Sequence, residues 1–246
     1  MHLFSRERGK LHAVAKGARK PTSKFGARLD FFSRSRLTLH PGRSLAIVTS
    51  AQTIAGAWER LVDPHAYAFC SYAAEVVDGL CEPDLPVPEL FDVLCDVQQA
   101  IAAGAAPESL APLFDMRALA ALGWSPELDA CARCGSTLGR RPLSGGRARL
   151  SPDAGGLVCA NCYEGELAQQ TRAGLVNLTA RELSQLRALR AASFADVAAR
   201  EVDPKLLRSL THATHAFVEF HLGRAARALS SEGSRRTRRP RVAAAR

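Results

Sequence analysis

Residues 36–49, RLTLHPGRSLAIVT, contain two short apolar runs on either side of a Pro-Gly turn. The first run alternates Leu37 and Leu39 with polar residues, and the second is rich in β-branched side chains, so both predict β-strands. Residues 11–15 alternate in the same way, and further Gly and Pro residues supply turns between these segments. Several short strands broken by turns predict a small β-barrel over residues 1–56.

Helical periodicity replaces this pattern from residue 57 onwards. Apolar residues recur at helical spacing in several segments that Pro or Gly residues separate. These segments are residues 66–81, 89–103, 108–122 and the stretch from Pro204 to near Ser230. Thr179 and Glu182 form a capping box that marks another helix start. The sequence therefore predicts an α+β protein with a helical domain over residues 57–232, interrupted by a Gly-rich, irregular segment at residues 131–165.

Positive charge is concentrated at both ends of the chain. Residues 1–43 hold 11 Lys and Arg against 2 acidic residues, and residues 224–246 hold 8 Arg against one Glu. Residues 44–223, by contrast, hold 14 basic and 21 acidic residues. Such a polarised surface indicates a polyanionic partner, nucleic acid or an anionic membrane, and a merely solubilising surface is the alternative.

The composition predicts where in the cell the protein is found. No apolar run reaches the roughly 20 residues that span a bilayer, and the N-terminal residues lack the apolar core of a secretion signal. We therefore expect a cytoplasmic protein.

Residues 233–246 are Arg-rich without apolar periodicity, and we expect a disordered tail there. Three single cysteines in apolar helical context are predicted to be small buried side chains; they are Cys70, Cys81 and Cys95.

Two Cys-x-x-Cys pairs are the strongest chemical signal in the sequence. Cys131 and Cys134 form the first pair, Cys159 and Cys162 form the second, and 24 residues separate them. Each pair can bind one metal ion from one side, and two pairs complete a tetrahedral thiolate shell, so we predict a structural Zn²⁺ site.

The alternatives to a structural zinc are redox dithiols, disulfides or a catalytic zinc. A thioredoxin-like pair would lie at the start of a helix in a βαβ unit, and neither pair is expected to do so. A deaminase would place a His-x-Glu motif before the cysteines, and none of the seven His residues begins one. His212 and His215 share a helical face, but without a carboxylate or Cys at ligand spacing they are predicted to be surface or interhelical residues.

A cluster of cations in the N-terminal segment predicts contacts to nucleic-acid phosphates. Its members are Arg8, Lys10, Lys16, Arg19, Lys20, Lys24 and Arg28. Gly residues interleave them, and Phe25, Phe31 and Phe32 offer flat faces for bases or fill the core of the barrel. No structural role is expected to compete for the cations. Phosphate-binding glycine motifs of nucleotide hydrolases are missing from the sequence, and we predict that the protein is not an enzyme.

The same residues carry a resemblance to a known family. Residues 8–21 (RGKLHAVAKGARKP) and 23–29 (SKFGARL) resemble the N-terminal signature of the bacterial RecO family of DNA repair proteins. Residues 122–135 (LGWSPELDACARCG) and 155–159 (GGLVC) are similar to its central zinc segment, and residues 221–224 (HLGR) to its last helix. These matches follow one another in the family's order over nearly the whole chain.

The resemblance implies a fold and a set of partners. The fold is an OB-fold β-barrel followed by a helical domain that carries the zinc segment. The activity is that of a recombination mediator, which binds single- and double-stranded DNA and anneals complementary strands. With RecR, such a protein helps to place RecA on strands covered by single-stranded-DNA-binding protein (SSB), and it contacts the acidic, apolar C-terminal tail of SSB. Arg117 and Arg187 are candidates for that contact. A nucleoid-associated location follows from these partners.

Two features depart from the family pattern. Members usually begin with a further segment that forms the first barrel strand, and this sequence starts within that strand at residues 2–4; we therefore expect the functional protein to be longer. The Arg-rich tail is the second departure, and we expect it to add nonspecific phosphate contacts. Other functions stay open: a zinc-ribbon RNA-binding or ribosome-associated protein, a zinc-dependent hydrolase or deaminase, and a protein-interaction scaffold.

Overall fold

The N-terminal part of the chain forms a four-stranded sheet. The computed structural model describes residues 1–18, 20, 23, 25–138, 147–164 and 174–226. The strands are β1 (His2–Ser5), β2 (Gly9–Val14), β3 (Arg34–His40) and β4 (Ala46–Ala55). They are arranged in the order β1-β2-β4-β3, in which β2 and β4 are parallel and the other pairs are antiparallel. The strands predicted within residues 11–15, 36–39 and 44–49 are confirmed.

One face of this sheet covers a small core, and the other is partly covered by the helices, where Phe4 packs against the main core beside Phe91 and Lys10 contacts Asp78. Side chains alternate along β2, where Leu11 and Ala13 are buried while His12 and Val14 are exposed. A small core of Ala13, Phe25 and Val48 lies under the sheet, with Phe25 at the start of a 3₁₀ turn. Among the described residues, β1 pairs with β2 alone and β3 with β4 alone, so these strands form an open sheet. The closed barrel and the additional N-terminal strand stay predictions.

Helices make up most of the remaining structure. They are α1 (Pro64–Leu80), α2 (Pro88–Ala102), α3 (Pro107–Ala121), α4 (Ala160–Glu164), α5 (Ala180–Leu189), α6 (Phe194–Ala198) and α7 (Pro204–Leu222). Four of them begin at a proline, whose fixed φ and missing N–H suit the first helical position. The predicted capping box of Thr179 and Glu182 is confirmed at the start of α5.

Helix α3 is the centre of the main core. Leu110, Leu113 and Phe114 are fully buried, and α3 packs against α1, α2, α6 and α7. One carboxylate, Asp115, is also fully buried there. It accepts hydrogen bonds from Tyr72 Oη and Thr214 Oγ1, both at 2.7 Å, which offset the cost of burying its charge.

A second sheet takes two of its three strands from the segment that we expected to be irregular. Strands β5 (Arg147–Ser151), β6 (Gly156–Val158) and β7 (Val176–Thr179) form an antiparallel sheet in the order β6-β5-β7. The prediction of irregular structure for residues 131–165 was therefore wrong for β5, β6 and α4, whereas the described residues 131–138 do lack helix and strand. These strands are too short for alternation to be recognised in the sequence, and they are stabilised by burial of Leu150, Leu157 and Leu178 in the main core.

One helix boundary and one additional helix also correct the sequence-based prediction. Helix α7 ends at Leu222 rather than near Ser230, because Gly223 adopts a left-handed conformation (φ 67°) that terminates it. Helix α6 was missed, although its capping box of Ser193 and Asp196 is visible in the sequence. The predicted tail at residues 233–246 lies outside the described residues.

Candidate nucleic-acid interface and metal centre

The four paired cysteines come together at one point. Their sulfur atoms all lie within 4.8 Å of one another, and Cys134 Sγ is 3.8 Å from Cys159 Sγ. The backbone N–H of Cys159 donates to Cys131 Sγ at 3.3 Å, and that of Cys162 donates to Cys159 Sγ at 3.4 Å. Four thiol sulfurs at this separation are a donor set that could hold a metal ion.

Local backbone structure brings the two pairs together. The first pair lies on a tight turn that Gly135 N–H closes by donating to Cys131 O at 2.8 Å, and Gly135 itself has φ 73°. The second pair follows β6 and enters α4. The N–H of Ala132 donates to Leu157 O at 2.8 Å, so the turn is joined directly to β6.

Close backbone approach beside the centre requires a glycine. Gly156 pairs with Glu127, and a Cβ added at Gly156 would lie 2.4 Å from Glu127 O. The N–H of Leu157 donates to the same carbonyl at 2.8 Å. A larger residue at this position would clash with the loop before Cys131.

The sulfurs also differ in their affinity for protons. The hydroxyl and backbone N–H of Ser136 lower the pKa of Cys134 to about 6, so its thiolate forms near neutral pH. The neighbouring Cys159 and Cys134 sulfurs raise the pKa of Cys162 to about 12. Four thiolates at this distance would repel one another, which keeps Cys162 protonated, and a bound cation would remove that repulsion.

The environment of the second pair corrects one expectation. Cys159 and Cys162 do lie at a helix start, since α4 begins at Ala160 directly after β6. The surrounding sheet is antiparallel, however, and is not the βαβ unit of a thioredoxin-like motif. The first pair lies beside the second, so a four-sulfur centre describes the geometry better than an isolated dithiol.

The N-terminal cations divide into two groups. Lys10 is largely buried, with 14% of its side chain exposed, and its ammonium donates to Asp78 O in α1 at 2.6 Å. Arg8 forms an ion pair with Asp84 at 3.2 Å. The expectation that no structural role competes for the cations is therefore wrong for Lys10, and Arg8 also has a protein partner.

The other described cations lie on the connection between β2 and β3. Lys16, Lys20 and Arg28 are exposed there, on the same part of the chain as the 3₁₀ turn Gly26–Leu29. Arg19 and Lys24 lie outside the described residues. A run of exposed cations on one connection is a surface suited to phosphates.

The three phenylalanines have three different environments. Phe25 belongs to the core of the N-terminal sheet. Phe32 has a left-handed backbone (φ 54°), its carbonyl accepts a hydrogen bond from Gln98 Nε2 at 2.6 Å, and its ring packs against the main core. Phe31 is 42% exposed and lies 5.4 Å from the ring of Tyr67, which is 53% exposed. This exposed aromatic pair is a further candidate for binding bases.

His215, His221 and the three single cysteines lie in the helical part of the structure. His215 Nδ1 lies 2.5 Å from Asp115 Oδ2 and its ring stacks on Tyr72, while His221 stacks on Trp124. In the part of the chain that the structure describes, neither belongs to a group with metal-ligand geometry. Cys70 and Cys81 are buried as predicted, whereas Cys95 is half-buried.

A groove of about 590 Å³ lies between α1, α3 and α7. Apolar side chains such as Phe69, Ala111 and Leu207 line it, together with Arg208 and His212. The two cations proposed for SSB lie elsewhere and are already bonded. Arg117 donates to Ala192 O at 2.7 Å, and Arg187 donates to Leu128 O at 2.9 Å. None of the helices in the described residues is long and apolar enough to cross a membrane.

Comparison with known proteins identifies the family. The family model described as Recombination protein O N terminal matches residues 1–57, and the model described as Recombination protein O C terminal matches residues 61–230. DNA repair protein RecO of Anaeromyxobacter sp. (strain K) is 33% identical over 224 residues, which cover 90% of this chain and 84% of the relative. DNA repair protein RecO of Moorella thermoacetica is 31% identical over 227 residues, covering 90% of this chain and 79% of the relative. The chain therefore belongs to the RecO family of DNA repair and recombination proteins.

Proposed function

We propose that this protein is a recombination mediator that binds single- and double-stranded DNA and anneals complementary strands. Together with RecR it helps RecA to load on DNA covered by SSB, in the cytoplasm and close to the nucleoid. The observation that carries the proposal is the run of exposed cations between β2 and β3 in a chain of the RecO family. No step of this activity requires covalent chemistry.

Neutralisation of phosphates is the proposed source of annealing. Two complementary strands repel each other, and cations such as Lys16 and Lys20 lower that repulsion when both strands lie against the same surface. Arg19 and Lys24 belong to the same run in sequence and add to the charge. Binding releases counterions, so we expect the affinity for a single strand to fall with salt, by about 0.7 log units per log unit of salt for each phosphate contacted.

The exposed ring pair supplies a second type of contact. Phe31 and Tyr67 offer accessible aromatic faces. Stacking of a base on such a face is worth about 1–3 kcal/mol and tolerates any base. Phe31 follows Arg28 closely in sequence, so a strand bound by the cations can reach the rings. We propose that the N-terminal sheet and its β2–β3 connection act as an OB-type binding unit in this way.

The proposed cofactor is a structural Zn²⁺ held by Cys131, Cys134, Cys159 and Cys162. Four thiolates are the donor set of closed zinc sites, and such sites leave no position for a substrate. Bound zinc would fix the turn at Cys131 to β6 and α4, and so would hold the second sheet against the helices.

We also propose that the C-terminal tail of SSB docks in the groove between α1, α3 and α7. An acidic, apolar peptide matches much of the groove's chemistry, because Leu207 and Ala68 provide apolar lining and Arg208 provides a cation. The acidic Glu108 also lines the groove, and its carboxylate lies 3.1 Å from His65 Nδ1. This assignment replaces Arg117 and Arg187, whose guanidinium groups are bonded to backbone carbonyls of the helical unit.

Strand annealing of complementary oligonucleotides across a salt series tests the proposed function. The intact protein is compared with a variant that replaces four cations of the β2–β3 connection; its substitutions are Lys16→Ala, Arg19→Ala, Lys20→Ala and Lys24→Ala. We expect the variant to lose most of the annealing at low salt, and the wild-type rate to fall as salt rises.

A matched control removes the same number of charges elsewhere. Its substitutions, all at exposed positions of the helical unit, are Arg60→Ala, Arg181→Ala, Arg200→Ala and Lys205→Ala. Circular dichroism verifies that both variants fold. An equal loss of annealing in both variants would show that only the net charge of the protein matters. In competition binding, a preference for structured RNA over single-stranded DNA would favour the RNA-binding alternative.

A further inference from the structure

A second group of metal-ligand side chains lies far in sequence from the cysteines. Strands β1 and β2 pair so that His2 is directly opposite His12. The two imidazole rings lie 4.3 Å apart and are nearly parallel, at 17°. Both side chains are exposed, on the face of the sheet that meets the end of α1.

A carboxylate from helix α1 completes the group. Asp78 lies in the last turn of α1, and its Oδ1 is 2.9 Å from His2 Nδ1. One ligand atom from each of His2, His12 and Asp78 can be chosen so that all three lie within 4.8 Å of one another. Two imidazole nitrogens and one carboxylate oxygen are a donor set that binds Zn²⁺ and other divalent transition metals.

The end of α1 favours a cation at this position. The last carbonyls of a helix carry partial negative charge, and Asp78 adds a full negative charge there. The structure already shows one cation bound to this end, because Lys10 Nζ donates to Asp78 O at 2.6 Å. Lys10 Nζ is 3.9 Å from Asp78 Oδ1, so the carboxylate oxygen nearest His2 is not taken by a direct hydrogen bond from the ammonium.

We propose that His2, His12 and Asp78 bind a divalent transition-metal ion at the junction between the N-terminal sheet and α1. The ion has three protein ligands, and its remaining positions face solvent. Two ligands belong to the sheet and one belongs to the helical unit, so binding fixes β1 and β2 to α1. This site is separate from the four-cysteine centre and does not depend on the proposed DNA-binding function.

Zinc content after equilibrium dialysis tests the proposal. The full-length protein is prepared without a histidine tag, dialysed against buffered free Zn²⁺, and its bound zinc is measured by mass spectrometry. Wild type is expected to bind one more equivalent than the His12→Gln variant. The matched control is His40→Gln, which changes an exposed histidine on β3, at the opposite edge of the same sheet. It is expected to bind as much zinc as wild type.

Histidine NMR signals give a second measurement that does not rely on stoichiometry. Adding Zn²⁺ to protein whose cysteine centre is already filled is expected to shift the imidazole signals of His2 and His12 together, and to leave that of His40 unchanged. Equal zinc content in wild type and His12→Gln, or unshifted His2 and His12 signals, would overturn the proposal. A lower zinc content in His40→Gln as well would show nonspecific binding to surface histidines, which also overturns it.

Discussion

The two sheets of this protein are stabilised in opposite ways. The N-terminal sheet has three buried core residues, Ala13, Phe25 and Val48, and depends on polar contacts to the helices, such as that of Lys10 with Asp78. In the second sheet, β6 is buried over its whole length, and four cysteines lie at its end. The first sheet therefore has only a small core of its own, whereas the second contributes to the main core. The two sheets differ in what covers them, and so in what stabilises them.

The largest effect is expected from removal of two of the four clustered cysteines, which we propose bind zinc. The double substitution Cys131→Ser/Cys159→Ser leaves two thiols, and binding of structural zinc is worth several kcal/mol, on the order of the stability of a domain. Hydrogen exchange should show loss of protection in β5, β6 and β7, while β2 and β4 keep theirs.

Cys95→Ser is the control for that experiment, because Cys95 is half-buried and distant from the centre in sequence. It should leave zinc content and exchange in the second sheet unchanged. Equal loss of protection in both sheets of the double variant would break the comparison, since it would mean that the two sheets unfold as one unit.

An intermediate effect is expected where the N-terminal sheet meets α1. Lys10→Met keeps the length of the side chain but removes the hydrogen bond to Asp78 O, and we expect a loss of about 2 kcal/mol, the usual worth of a hydrogen bond to a charged group. Lys16→Met, the same change at an exposed position of the same segment, should alter stability by less than about 0.5 kcal/mol. Urea unfolding of both variants measures the difference, and equal midpoints would contradict the structural role of Lys10.

The smallest effect is expected for the pH dependence of stability, to which His215 in α7 contributes. Burial lowers the pKa of His215, but the Asp115 carboxylate raises it more, so the folded-state pKa lies above the usual 6.5. The stability from this pair is therefore complete below about pH 6.5 and is lost as pH rises through the raised pKa. His215→Gln should flatten this decline.

His221 provides a comparison of opposite sign. Burial lowers its pKa, so its contribution to stability is lost as pH falls below about 6.5. His221→Gln should therefore flatten the acid side of the stability curve, which thermal unfolding across pH measures. Identical pH curves for wild type and both variants would contradict these assignments.

Sequence patterns predicted the elements whose signals are local. Strands β2, β3 and β4 follow alternation and turn residues, and the main helices follow apolar periodicity with proline at their starts. The cysteine spacing likewise predicted that four sulfurs would meet. Strands β5 to β7 were missed, because strands of three to five residues are stabilised by the helices that cover them rather than by their own pattern.

The roles of individual side chains were harder to predict than the positions of helices and strands. Lys10 and Lys16 look alike in sequence, but Lys10 faces the end of α1 and Lys16 faces solvent. Phe31 and Phe32 are neighbours, yet the left-handed backbone at Phe32 turns only one of them into the core. Both distinctions depend on how the N-terminal sheet packs against helices distant in sequence, and local patterns do not contain that information.

The central claim is that exposed cations of the β2–β3 connection bind DNA while Lys10 and the cysteine centre support the structure. Its most direct test is the affinity for a single-stranded oligonucleotide across a salt series, measured for wild type and for the Lys16→Ala/Lys20→Ala/Arg28→Ala variant. The account predicts weaker binding and a salt slope that is shallower by about 0.7 for each phosphate that the variant no longer neutralises. An unchanged affinity and slope in a folded variant would contradict it.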